Sequence, residues 1–270
     1  GLGTINEKTR YHMNLTTHIL LECAGLGVAV LSPVPKDLLS VQEEVRHAFG
    51  WHLEDDEFSA KNMANEFSNH APFNLDLWST ESRTRALKRL KQSIHSAERL
   101  MVVGAGSDSI RTAEFPRTMF VAADGAVGAI DDLSRVLCVV SDGDGAEHLD
   151  HAAQHGVHIV LHAHGDNAEV WTNLVKTWSC YEQPPPLTLT HQTMNDYAGM
   201  HNPGGFTDGD RALCFIQAIG RPLNEIGCIG FRTDIVGPWS GTTEPERKKE
   251  KLAWMEEVMQ RLGVEHHLIR

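Results

Sequence analysis

The apolar positions divide the chain into two textures. Over residues 14–95 they recur at helical spacing, and Leu38, Val41, Val45 and Phe49 form an i, i+3, i+4 stripe. The pattern continues from Asp55 to Phe67, with acidic residues at its start, where a helix dipole favours them. Ser79-Thr80-Glu81-Ser82 carries an N-cap signal ahead of a basic amphipathic helix through Leu87, Leu90 and Ile94. This region shows no site-like cluster.

From residue 99 short apolar runs end abruptly in Gly or Asp. They are Leu100–Val103, Met119–Ala123, Val136–Val140, Val157–Leu161, Leu187–Leu189 and Ile226–Phe231. Helix-length segments lie between them: Asp108–Phe115, Ala126–Leu133, Ala146–His155, Ala168–Trp178 and Asp210–Ile219. Continuous apolar strands alternating with helices predict a parallel sheet covered on both faces. The expected fold class is therefore α/β, doubly wound, with a helical N-terminal region. Pro184-Pro185-Pro186 marks a rigid connection, and Glu244–Leu262 reads as a Lys-rich helix. The expected organisation is a mainly helical region over 1–95, an α/β core over 96–240 and a C-terminal helix over 241–270 packed on the core.

Composition narrows the function classes. A chain of 270 residues with a formal net charge of -12 is poorly suited to neutralising a phosphate backbone, so nucleic acid is not expected as a partner. Small phosphorylated ligands remain open, because carboxylates reach phosphate through a divalent cation. No run approaches a membrane span, and His18–Ser32 is apolar but short and holds Glu22. No basic stretch precedes a cleavage-like site, so a secretory signal is not expected. The chain opens Gly1-Leu2-Gly3, and a natural start at Met13 is one reading; residues 1–12 receive no functional weight. Five Cys without a CxxC pair read as buried free thiols in a reducing cytoplasm.

The position of the acidic residues matters more than their number. Asp124, the pair Asp142 and Asp144, and Asp166 each follow a predicted strand. In open α/β sheets ligands bind outside the carboxyl ends of the strands. Four carboxylates converging there would need a cation, and hard oxygen ligands select Mg²⁺ or Mn²⁺. A single Asp after a strand is commonly a turn former or N-cap, but three such strands in succession are harder to dismiss. His162 and His164, at i, i+2 on one strand face, either bind zinc or orient carboxylates and contact phosphate. His47, His52, His70, His95, His266 and His267 read as surface residues.

Three further segments carry candidate chemistry. Gly104-Ala105-Gly106-Ser107 follows a strand and reads as a backbone N–H nest for phosphate at a helix N-terminus, or as a plain tight turn. In Asn202–Ala212, Gly205 and its neighbours allow close approach to a ligand, and Asp208 and Asp210 suit an amidine-like edge of a heterocycle. Arg211 would hold one of these acids or a phosphate. The plain alternative is a helix cap from Thr207 or Asp208. Lys248 and Lys251 share a helix face and would clamp phosphates or simply be solvated, while Lys249 points elsewhere.

Taken in order, Ala123-Asp124-Gly125-Ala126, Ser141-Asp142-Gly143-Asp144-Gly145, His162-Ala163-His164-Gly165-Asp166-Asn167, Gly204–Ala212 and Lys248–Leu252 resemble the archaeal 6-hydroxymethyl-7,8-dihydropterin pyrophosphokinases. The resemblance spans roughly residues 48–262. It implies a Rossmann-like catalytic domain similar to thiamine pyrophosphokinases, with Mg²⁺ and with ATP as co-substrate. It implies transfer of the β,γ-diphosphate to the hydroxymethyl group of a reduced pterin, releasing AMP, toward folate or a methanopterin-type carrier. On this reading Asp142, Asp144 and Asp166 hold Mg²⁺, with Asp124 close by. Gly104, Gly106, Ser107, Lys248 and Lys251 meet phosphates. Asn167, Gly205, Phe206, Asp208, Asp210 and Arg211 meet the pterin or order the site. An Asp or His164 takes the proton. A cytoplasmic enzyme, compatible with a homodimer, is implied.

The chain departs from the family pattern at Ser107-Asp108, where a Pro is usual, and at Ser141 and Gly143, where Thr and Leu are usual. It also departs at His191, where Thr is usual, and at Pro203, where an aromatic is usual. Every motif carboxylate is retained. The rival readings are a thiamine diphosphokinase, a glycosylation-associated sugar-transfer protein, a nucleotide-binding module without catalysis, and a zinc hydrolase using His162 and His164.

Overall fold

The structure, a computed structural model, describes residues 31–32, 34–241, 245–264 and 268–269. Most of His18–Ser32, the start at Met13, Cys23, Glu244 and His266-His267 lie outside the described residues.

Three helices lead in: α1 (Lys36–Phe49), α2 (Leu53–Glu66) and α3 (Thr80–Ser96). Gly50 ends α1 in the left-handed conformation that a residue with a Cβ adopts only at a cost. Ser79 caps α3 by accepting the Ser82 N–H, as its position ahead of the helix predicts. The core then runs β1 (Arg99–Val103), β2 (Thr118–Ala123), β3 (Val136–Ser141), α4 (Ala146–Gln154), β4 (His158–Ala163), α5 (Ala168–Trp178), β5 (Leu187–His191), β6 (Met200–His201), α6 (Asp208–Ile219), β7 (Ile226–Ile229), α7 (Pro245–Leu262) and β8 (Leu268–Ile269). All strand pairs are parallel, in the order β6-β5-β4-β3-β2-β1-β7-β8.

Both faces of the sheet are buried, which explains the unbroken apolar runs. Phe120, Ala122, Val139, Ile159 and Leu161 face a core shared with Met63 of α2, Leu149 of α4 and Trp171 of α5. Their neighbours Val121, Cys138, Val140 and Val160 face the opposite core, with Leu87 of α3, Phe215 of α6 and Met255 of α7. A third cluster joins α1 to α6 and α7 through Val41, Val45, Phe206, Cys214 and Val258.

Two expected helices do not form. Asp108–Phe115 instead pairs Ile110 with Ile130 in an isolated bridge and makes a 3₁₀ turn over Thr112–Glu114. Ala126–Leu133 is replaced by a 3₁₀ segment over Asp124–Ala129. There a Cβ on Gly125 would lie 2.5 Å from the Trp239 carbonyl, and one on Gly128 2.6 Å from the His148 ring. Cys138, Cys214 and Cys228 are buried free thiols as expected, but Cys180 is exposed at the end of α5. Among the described residues no helix is long and apolar enough to cross a membrane.

The chain leaves β1 toward β2 through β6 on one side and returns as β7 on the other. The crevice outside the carboxyl ends of β1 and β7 is therefore the topological switch point, where doubly wound sheets bind ligands.

Candidate active site

At that end of the sheet four carboxylates meet. Asp124 follows β2, Asp142 and Asp144 follow β3, and Asp208 opens α6; one oxygen of each lies within 4.8 Å of the others. Among the described residues this is the one group of three or more His, Cys, Asp or Glu side chains placed to share a metal ion. Neither His162 nor His164 belongs to it, and the set is all oxygen, so it suits a hard divalent cation and not zinc.

Asp124 is the buried member and holds a backbone φ of 48°, unusual for a residue with a Cβ. Its Oδ1 accepts hydrogen bonds from the Ser141 hydroxyl and from the Gly145 N–H at 3.0 Å. Burial, together with the charges of Asp208, Asp144 and Asp142, pushes its carboxyl well above the usual carboxylate range. Asp208 is raised in the same way, by burial and by Asp142 and Asp144, against the pull of Arg211 and Lys248. Asp142 goes the other way. Burial raises it, but the His164 hydrogen bond and charge, with Arg211 and Lys251, more than compensate and hold it below the usual range. Two carboxyls whose proton affinity is raised by burial and by their acidic neighbours are what a bound divalent cation would relieve.

Asp166 does not join this cluster; Asp208 takes the place expected for it. Gly165, with φ 40°, turns the loop after β4 toward α2, where its N–H donates to Asp56 Oδ1 at 2.6 Å. Asp166 is thereby exposed at a separate cavity beside Trp51.

Asn167 orders the loop and is not free to meet a ligand. Its amide donates to the Asp142 and His162 carbonyls at 2.9 and 2.8 Å and accepts from the His164 N–H and the Ser59 hydroxyl. Asp210 is likewise occupied. It closes a capping box with Thr207, accepting from the Thr207 N–H and hydroxyl and from the Phe206 N–H, and burial raises it to about 6. Arg211 is buried and donates to Asp208 at 2.7 Å and to the Phe206 carbonyl, so it holds the acid. Gly205, at φ 84°, is needed because a Cβ there would lie 2.7 Å from Arg211 Cα.

The loop after β1 is no helix-terminal nest. The N–H groups of Gly104, Gly106 and Ser107 are taken by the carbonyls of Ile229, Gly230 and Gly104, and no helix follows. Gly104 and Gly106 do line the switch-point crevice, with Asp124, Asp144, Asp208 and Lys248. A Cβ at either would strike the Gly230 carbonyl at 2.8 or 2.9 Å, so these glycines let the β1 and β7 loops close on each other. Lys248 and Lys251 both line the cleft that holds Asp142, Asp144, Asp208 and His164. Burial lowers the Lys251 ammonium from its ordinary value, with Asp142 opposing. Phe206 walls the same cleft and packs on Trp51.

His162 is fully buried between the Thr190 hydroxyl and Gln192, and burial with the Arg211 charge drives it well below its ordinary value, so it stays neutral.

The site also recruits residues from the helical lead-in that showed no cluster in sequence. Asp56 of α2 accepts from Arg46 at 2.8 Å, from Gln192 at 3.0 Å and from the Gly165 N–H, tying α1, α2 and β5 to the loop that carries His164. Asp56 stands in an acidic helix start where nothing marks it off from Glu54 and Asp55.

The chain is 32% identical over 185 residues to the 6-hydroxymethyl-7,8-dihydropterin pyrophosphokinase of Pyrococcus furiosus, a match covering 63% of this chain and 75% of that protein. The chain belongs to the 6-hydroxymethyl-7,8-dihydropterin pyrophosphokinase family. No family model matches it. Membership in this family makes an enzyme of the diphosphokinase kind the frame for the cluster, the cleft and the two lysines.

Proposed function

We propose that the protein is a Mg²⁺-dependent diphosphokinase that transfers the β,γ-diphosphate of ATP to the hydroxymethyl group of 6-hydroxymethyl-7,8-dihydropterin. The observation that carries this reading is the convergence of Asp124, Asp142, Asp144 and Asp208 within 4.8 Å at the switch point, with Lys248 and Lys251 facing them across the cleft. The catalytic core, on this reading, is of the thiamine-pyrophosphokinase kind. On this reading α1 and α2 of the lead-in and α7 complete its site.

The acceptor hydroxyl oxygen attacks the β-phosphorus. The bond from that phosphorus to the oxygen bridging the α-phosphorus breaks, and AMP leaves with that oxygen. The hydroxyl proton passes to an acceptor lining the cleft, His164 or a cluster carboxylate. No protein nucleophile is required, so the chain's task is positioning and charge neutralisation. Asp124, Asp142, Asp144 and Asp208 would hold Mg²⁺, which supplies neutralisation of phosphate oxygens. Lys248 and Lys251 would add fixed positive charge on the transferring group. Arg211 holds Asp208 in place, and Asn167 fixes the loop that presents His164.

The test is incubation with ATP, Mg²⁺ and hydroxymethyl-dihydropterin, with nucleotide products separated. AMP and the pterin diphosphate are expected. Formation of ADP, or no turnover, would overturn the reading, and thiamine as a parallel acceptor separates the related diphosphokinase activity.

A further inference from the structure

On the side of the carboxylate cleft away from the switch point lies a second cavity of about 390 Å³, walled by Trp51, Asp55, His164, Asp166, Arg247 and Lys251. Trp51, His164 and Lys251 line both this cavity and the cleft that holds Asp142, Asp144 and Asp208, so the two spaces adjoin. A ring placed in the cavity can thus present a short substituent to the cleft. A nucleotide at the switch point approaches from the opposite side, with the transferring group between them.

The lining selects the kind of ring. The Trp51 indole is held rigidly, stacked on Phe49 at 4.7 Å and tilted against Phe206 at 6.0 Å, and is half-buried at the cavity wall. An aromatic wall of this kind favours a planar heterocycle. Two cations lie over the same indole, the guanidinium carbon of Arg247, exposed on the first turn of α7, at 5.5 Å from the ring centre and the Lys251 ammonium at 5.7 Å, and a ring that packs on Trp51 takes the place of the exposed Arg247 side chain. Asp166 is exposed, and its carboxylate has no hydrogen-bond or ion-pair partner among the described residues. A carboxylate pairs in bidentate fashion with two adjacent N–H donors, as in an amidine edge.

We infer that this cavity is the acceptor site. It takes a planar bicyclic heterocycle bearing a 2-amino group beside a ring N–H; Trp51 packs against the ring and Asp166 reads its amidine edge. The inference rests on the diphosphokinase reading for the substrate's identity. It differs from the sequence expectation, in which Asn167, Asp208 and Asp210 met the pterin, because those three side chains are engaged elsewhere.

The experiment compares the full-length chain with Trp51→Leu and Asp166→Asn. Steady-state KM values for hydroxymethyl-dihydropterin and for ATP are measured by AMP release. Equilibrium binding of fluorescent 6-hydroxymethylpterin is measured by anisotropy without ATP. Each variant should raise the pterin KM and weaken pterin binding by about tenfold, with the ATP KM changed by less than about twofold. An unchanged pterin KM and binding in both variants, or a rise confined to the ATP KM, would overturn the inference. A wild-type chain that releases no AMP overturns the functional reading instead. The anisotropy comparison then still decides the cavity: weaker binding in the variants supports it, and equal or absent binding by wild type defeats it. Asp166 is exposed, so the Asn variant folds even where the Trp51 variant does not.

Discussion

His164 Nε2 lies 3.0 Å from Asp142 Oδ2, and this contact keeps one member of a crowded carboxylate cluster ionised while two others are pushed toward the neutral form. Removing the imidazole leaves Asp142 with the same burial and the same acidic neighbours, but without its main compensating donor. His164→Ala should lower kcat by about 10- to 100-fold and raise the Mg²⁺ concentration needed for half-maximal activity. His164→Gln, which can restore a neutral N–H donor, should recover part of the loss. Equal activity of His164→Ala and wild type across a Mg²⁺ titration would show that the contact is incidental.

Gly145 supports Asp124 by absence of a side chain. Its φ of -69° is open to any residue, so no backbone strain attends substitution. A Cβ there would lie 2.6 Å from Asp124 Oδ1 and 2.8 Å from the Gly125 N–H nitrogen. Gly145→Ala should therefore displace Asp124 from the cluster while leaving the sheet intact. The expected result is an activity loss of at least about tenfold with an unfolding midpoint close to wild type. Thermal unfolding and AMP release measured on one preparation check both halves.

The core strands were legible because burial on both faces leaves an unbroken apolar run, and the acidic motifs were legible because each follows such a run. Asp208 for Asp166 was not. Both lie in glycine-containing turns, Asp166 after Gly165 and Asp208 after Gly204-Gly205, and the direction of the Gly165 turn, fixed by an N–H bond to distant Asp56, carries Asp166 away from the cluster. The two absent helices have a similar cause. Residues 108–115 and 126–133 have helical length, but the Ile110–Ile130 bridge and the close approach of Trp239 and His148 to Gly125 and Gly128 are long-range contacts with no local signal. Strand β6, at the sheet edge, is two residues long and too short to leave a periodic trace.

Arg46 and Asp56 form a buried ion pair at 2.8 Å that also receives Gln192 and the Gly165 N–H. Breaking a buried pair strands the remaining charge, so Asp56→Ala should destabilise the protein by about 3–5 kcal/mol in urea unfolding. The double variant Arg46→Met, Asp56→Leu should recover part of that stability, because neither charge is then buried alone. It should not recover activity, since the Gly165 N–H still lacks its acceptor and the His164 loop is released. Recovery of both together would mean that Asp56 acts on stability only.

Burial drives the His158 imidazole down to about 3, with Arg89 adding to the effect, while its ring Nε2 sits 2.8 Å from the Thr188 hydroxyl. The native state therefore holds His158 neutral where the unfolded chain, with an ordinary value of 6.5, takes up a proton. Above that value His158 contributes its full stability. As pH falls from 6.5 toward 3 the unfolded state binds more protons, and stability drops by about 1.4 kcal/mol per pH unit for this one group. Asp210, raised to about 6, has the opposite slope between its ordinary 3.8 and that value, because there the native state binds the extra proton. The wild-type curve is thus a sum of opposed slopes. The difference between wild type and His158→Gln cancels the shared terms and isolates the histidine. Urea unfolding from pH 7 to pH 5 should show the variant losing less stability than wild type, with the gap widening as pH falls. Parallel curves would mean that His158 is protonated in the native state and that burial does not hold it neutral.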